Sequence, residues 1–82
     1  MDSRVLRELV TRTAAEVLGV TPEAAAKSAD LTAIPTFTSF RALDIVESVE
    51  RSLGTEVDPD DLVPQNLKSV DALCVMFGGA CR

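Results

Sequence analysis

A chain of 82 residues has room for one domain and no second core, and a domain this small must be held by a few well-packed helices, a partner or covalent staples. Its net charge of −5, from 13 acids against 8 bases, disfavours a nucleic-acid surface, and the absence of histidine removes the commonest general base and metal ligand. Staples are not expected either. The two cysteines, Cys74 and Cys81, lie so close in sequence that a bridge would clip one short loop, and two free thiols suit a reducing cytosol. Met1-Asp2-Ser3-Arg4 runs straight into an amphipathic pattern and no stretch has the length and apolarity of a membrane span, so the expectation is a soluble, cytoplasmic monomer without a membrane partner.

In chain order, the first predicted element runs from Arg4 to Leu18. Val5, Leu6, Leu9, Val10, Thr13, Ala14 and Val17 recur at steps of three and four, which lays them on one stripe of a helix. Gly19 supplies the stop, and Thr21-Pro22-Glu23 reads as a cap followed by proline at the start of a short helical turn to Lys27. From Ser28 to Phe37 no period is sustained, and Pro35 disfavours helix at Ile34. This is the long loop, with Leu31 and Ile34 expected as its inward anchors.

The second long helix is predicted to start at Thr38 or Ser39, either of which can cap it, and to end at Leu53 before Gly54. Ala42, Ile45, Val46, Val49 and Leu53 share one face, with Arg41, Asp44, Ser48 and Arg51 opposite. Phe40 and Leu43 fall off the core stripe, on the flank beside Ser39. Asp58-Pro59-Asp60-Asp61-Leu62 predicts a short third helix that Pro64 interrupts, and Ser69 caps a last helix with the stripe Val70, Leu73, Cys74 and Phe77. Gly78-Gly79 is expected to release the chain into a frayed tail over 78–82. The expected fold is all-α: one domain over 1–82 with its core at about 4–77, three principal helices plus one short one, and a long loop between the first two long helices.

Little of this sequence can catalyse. There is neither histidine nor tyrosine, and Ser39 has no evident activating base. Seven acids stand against one base, Arg51, between Asp44 and Asp61, a field that steers basic partners or keeps a solvated face soluble. A calcium loop is not spelled there. Counting from Asp58, the fifth position is Leu62, the sixth Val63 in place of glycine and the twelfth Ser69 in place of glutamate, so no metal site is expected. Cys74 reads as a small buried apolar residue, and Cys81 as an incidental thiol.

Taken alone, a serine at a helix start is a cap. The constellation around it says more: an amphipathic helix, a long loop, Ser39 with an apolar residue directly after it, an acidic outward face and two further short helices. From about Val5 to Phe77 the chain resembles the phosphopantetheine-dependent carrier proteins, in which a serine at this junction, usually within Asp-Ser-Leu, receives 4′-phosphopantetheine from coenzyme A. Ser39 stands at that place, with Phe40 where leucine is usual, and Leu43, Asp44, Ile45, Val46, Val49, Glu50, Leu53 and Gly54 match the pattern of the family's recognition helix.

The resemblance implies a non-catalytic carrier whose arm on Ser39 holds acyl or aminoacyl thioesters. Its implied partners are a phosphopantetheinyl transferase, a loading ligase or acyltransferase, and downstream synthase or tailoring enzymes, recognised through Phe40, Leu43, Asp44, Glu47 and Glu50. Three positions depart from the pattern: Thr38 replaces the usual aspartate, Arg41 stands where an acid or small polar residue is common, and Glu47 where acyl carriers tend to expose an apolar residue. They point away from the general fatty-acid carrier. The stretch Leu62-Val63-Pro64-Gln65-Asn66-Leu67-Lys68-Ser69-Val70 is similar to that of stand-alone carriers of specialised metabolism, polyketide or nonribosomal peptide in type, and leaves acyl and aminoacyl cargo equally open. The rival reading is an unmodified helical module that docks a basic partner through its acidic second helix.

Overall fold

A computed structural model describes residues 3–28 and 30–80 and shows why this sequence folds as helices and nothing else; no strand occurs among the described residues. Five helices follow in order: α1 (Ser3–Leu18), α2 (Pro22–Lys27), α3 (Ser39–Leu53), α4 (Pro64–Leu67) and α5 (Val70–Ala80). Two single 3-10 turns, Leu31–Ala33 and Pro59–Asp61, interrupt the connections. There are thus two short helices beside the three long ones, where one was expected.

The core sits where α1 packs against α3 and α5, with α2 closing on α1 and α4 on α5. Leu6, Val10, Ala14 and Leu18, one residue every four, form the buried line of α1. They meet Ile45, Val46 and Val49 of α3 and Leu73 and Phe77 of α5 in a single cluster. Val5 does not join it: at 51% exposed it lies off the edge of the stripe, while Leu9 and Val17 are half-buried on its flanks.

The helix ends are closed by the residues that the sequence marks. Gly19, at φ +70°, and Gly54, at φ +68°, both take the left-handed conformation. Beyond them the Val20 N–H reaches back to the Ala15 carbonyl (3.0 Å) and the Thr55 N–H to that of Glu50 (3.2 Å), which satisfies carbonyls that a helix end leaves without partners. Ser69 caps α5, its Oγ accepting from the Ala72 N–H at 3.0 Å.

Two local expectations fail for physical reasons. Pro64 does not interrupt a helix but begins one, since its missing N–H falls in the first turn, where no intrahelical partner exists. Asp58 to Asp61 is accordingly only a 3-10 turn, capped by Asp58 Oδ1 on the Asp60 N–H (2.9 Å). Gly78 and Gly79 likewise remain inside α5, which runs on to Ala80; the buried Met76 and Phe77 hold that segment against α1 strongly enough to offset the glycine penalty of about 1 kcal/mol each. Cys81 and the end of the expected tail lie outside the described residues.

The long loop is less of a loop than its sequence suggests. Leu31 is fully buried, its N–H donates to the Lys68 carbonyl at 2.5 Å, and Asp30 Oδ1 accepts from both the amide (2.9 Å) and the hydroxyl (2.5 Å) of Thr32. Those two bonds, the hydroxyl first, hold the Asp30 carboxyl below its ordinary pKa. Ile34 and Phe37 pack half-buried on the core, so the segment delivers the chain to α3 along a fixed path.

Candidate functional site

The first turn of α3 is the point on which the sequence argument converges. Thr38, in extended conformation at φ −139° and ψ 164°, is the N-cap: its Oγ1 accepts from the Arg41 N–H at 3.1 Å and its carbonyl from the Ala42 N–H at 3.0 Å. Ser39 is therefore not the cap. It is the first helical residue, exposed, and its hydroxyl makes no hydrogen bond among the described residues.

That division of labour gives the Thr38 departure a physical meaning. Threonine and aspartate are both N-capping residues, so the acceptor oxygen is kept and only the negative charge is lost. Removing the oxygen should cost about 1 kcal/mol, or roughly 4–8 °C of melting temperature in a domain of this size. Thr38→Ala is thus expected to melt lower by that amount, and Thr38→Asp no lower than the wild type. An unchanged midpoint for Thr38→Ala would remove the capping role.

Ser39 stands on the rim of an apolar groove of about 290 Å³ walled by Phe37, Ala42, Leu43, Leu62, Pro64 and Leu67. One wall is the loop and the edge of α3; the other is α4 with Leu62 ahead of it. A larger depression of about 550 Å³ runs past Glu47, Arg51, Gly54 and Glu56, but it is open, polar and towards the other end of α3. The stretch Pro64-Gln65-Asn66-Leu67 is α4 itself, with Asn66 Nδ2 donating to the Asp61 carbonyl at 2.7 Å. Its composition therefore serves the groove wall and leaves the cargo open.

Four of the expected recognition residues come together on the outward face of α3. Phe40 is 82% exposed, Leu43 is 41% exposed, and Asp44 and Glu47 are exposed beside them. Glu50 does not belong with them in the same way. Its Oε2 accepts from the Val57 N–H at 2.7 Å while its backbone carbonyl accepts from Gly54 and Thr55, so Glu50 fastens the next connection to α3 and holds the buried Val57 in place. With Asp58 capping a turn and Glu50 so engaged, the acidic run does not form one patch. No group of acids or cysteines among the described residues could hold a metal.

Cys74 is half-buried on α5, and its burial pushes the thiol above its ordinary pKa, against an opposing pull from Arg7. A thiol so protonated is a poor nucleophile at neutral pH. Arg7 itself pairs with Asp71 at 2.6 Å, joining α1 to α5 on the surface.

Two functional-looking contacts were not foreseen. Arg41 Nη1 donates to the Val17 carbonyl at 2.6 Å, and Thr36 Oγ1 to the Leu18 carbonyl at 2.5 Å. Arg41 was read as an outward-facing departure. The available signal was that the last carbonyls of α1 need partners and that a cation suits a helix C-terminus.

The described residues thus form a small helical bundle with an exposed serine in the first turn of α3, beside an apolar groove. The family model described as a phosphopantetheine attachment site matches residues 8–76, and the chain belongs to that family. It is a carrier protein that binds phosphopantetheine, and its cofactor is 4′-phosphopantetheine, which the family holds covalently on a serine. Domains of this family are generally non-catalytic, are modified by phosphopantetheinyl transferases and interact with synthase enzymes. No curated protein and no solved structure matched the chain. No helix among the described residues is long and apolar enough to cross a membrane.

Proposed function

We propose that Ser39 is the attachment serine and that the chain is a stand-alone carrier, loaded with acyl or aminoacyl groups in specialised metabolism of the polyketide or nonribosomal peptide type. The observation that carries this reading is the freedom of the Ser39 hydroxyl, exposed and unbonded while Thr38 does the capping. In modification, Ser39 Oγ forms the new phosphoester bond to the pantetheine-side phosphorus of coenzyme A as that phosphorus loses its P–O bond to the bridging oxygen of the pyrophosphate, adenosine 3′,5′-bisphosphate leaves with that oxygen, and the hydroxyl proton passes to the transferase. The transferase with its metal supplies the catalysis; this chain supplies position. Once attached, the arm contributes a terminal thiol that holds cargo as a thioester.

The residues around Ser39 fit such a group. The hydroxyl is open to a partner, and the groove beside it offers apolar walls from Phe37, Leu43, Leu62 and Leu67 against which an arm can lie. Phe40 and Leu43 give a visiting enzyme a small apolar anchor. Asp44 and Glu47 flank it with charge, which acts on encounter and orientation more than on affinity and so suits a shuttle that docks and leaves repeatedly.

Incubating the purified chain with coenzyme A, Mg²⁺ and a broad-specificity phosphopantetheinyl transferase is expected to add one phosphopantetheine, read by intact mass, with fragmentation locating it at Ser39. A chain that gains no mass, or gains it elsewhere, overturns the assignment.

A further inference from the structure

The first turn of α3 has an unusual weakness for the place from which an acceptor is displayed. Thr38, Ser39, Phe40 and Arg41 are all exposed, and the first fully anchored side chain of the helix is Ala42. Segments with few buried contacts open locally at low cost, and a displacement of about 1 Å at a reacting atom can cost roughly a hundredfold in rate. Phe37 and Ala42 anchor this turn on either side and Thr38 caps it, and the four exposed residues between them gain from any further tie to the body of the domain.

The C-terminus of α1 supplies the counterpart. Gly19 turns the chain out of the helix and the Val20 N–H satisfies the Ala15 carbonyl, while the carbonyls of Val17 and Leu18, at the very end of α1, are met by side chains from outside the helix. Leu18 O is met by the Thr36 hydroxyl and Val17 O by the Arg41 guanidinium. These donors bracket Ser39 in sequence, three residues before it and two after. The guanidinium also sits at the negative end of the α1 dipole, where a cation is favoured. On the circumference of α3, Arg41 reaches one edge of the buried stripe towards α1, while Ser39 and Leu43 line the groove on the other.

We propose that Arg41 is a positioning residue for the modification of Ser39: with Thr36 it clamps the first turn of α3 onto the C-terminus of α1, so that the hydroxyl is presented from a fixed base. The proposal rests on the reading of Ser39 as the acceptor. It assigns a role to the position at which the chain departs from the carrier pattern with a cation, and it requires no contact between Arg41 and the transferase.

The test compares the wild type with Arg41→Met, Arg41→Lys and Thr36→Val in two measurements. On the unmodified chains, exchange of the hydrogen-bonded amides of Phe37, Arg41 and Ala42 should quicken by about tenfold in Arg41→Met, the loss of one charge-assisted hydrogen bond. In the transferase assay kcat should fall about fivefold or more with KM within about twofold, because the docking residues are untouched. Arg41→Lys, which still offers a donor to the Val17 carbonyl, should recover most of kcat, and Thr36→Val should shift both readouts in the same direction by less. An Arg41→Met chain with wild-type exchange or wild-type kcat overturns the clamp, a loss confined to KM makes Arg41 a docking cation instead, and failure of lysine to rescue removes donation as the cause. A wild type that accepts no phosphopantetheine overturns the carrier assignment, and the positioning role falls with it.

Discussion

Replacing Ser39 with alanine is expected to abolish phosphopantetheine addition completely while leaving the melting temperature unchanged or slightly raised. The second half of that expectation is what gives the first its force. Were Ser39 the N-cap, its loss would cost about 1 kcal/mol. As the first helical residue, exposed and without a hydrogen bond, it contributes no cap, and alanine has the higher helix propensity by a few tenths of a kcal/mol. Thr38→Ala should behave in the opposite sense, melting lower but keeping the hydroxyl that is modified. The pair separates the structural and chemical roles of two adjacent hydroxyls. An adduct that survives Ser39→Ala, carried by another surface hydroxyl such as that of Ser52, would remove Ser39 as the attachment site. A fall of several degrees in Ser39→Ala would mean that the serine is part of the cap after all.

The same two residues show how far the sequence reaches. Periodicity located α1 and α3 because their apolar residues recur at the helical step over four turns, and Gly19, Gly54 and Ser69 marked ends that the structure closes as expected. Which of Thr38 and Ser39 would cap was open, because both carry a hydroxyl and the choice depends on one backbone angle. Pro64 and Gly78-Gly79 were misread for a related reason. Proline is compatible with a helix start as well as with a helix break, and glycine penalties are overridden when neighbours such as Phe77 are buried.

What lay beyond the sequence is the set of contacts that join distant parts of the chain. Arg41 reaches back 24 residues to Val17 and Thr36 18 residues to Leu18, and neither link has a local signature. Glu50 is one more acid on the same helix as Asp44 and Glu47, nearer the buried stripe. Only the return of the chain through Val57 assigns its carboxylate to the fold. The groove was hidden for the same reason, since Phe37, Leu43 and Leu67 become one surface only when the loop, α3 and α4 are placed together.

Phe77→Ala carries the largest expected effect on stability, and its consequence for function follows from the geometry. Phe77 is fully buried at the α1–α5 contact, in the cluster that contains Leu6, Val10, Leu18 and Leu73. Truncating a buried phenylalanine costs about 3–5 kcal/mol, whereas a domain of this size holds on the order of 4–12 kcal/mol in all. The melting temperature should therefore fall by at least about 12 °C, with Phe77→Leu intermediate because it leaves a smaller cavity. Phe77 lies outside the groove, and α5 connects to the Ser39 turn indirectly, through α1 with the clamp at its C-terminus and through α4, which lines the groove. Below its melting transition the Phe77→Ala chain should consequently still be modified at Ser39, and it should lose modification in step with unfolding as temperature rises. A shift of less than about 5 °C would show that the α1–α5 contact is not the main support of the fold. Loss of modification in a chain that circular dichroism shows to be folded would mean that the core and the acceptor turn are coupled more tightly than the contacts through α1 and α4 provide.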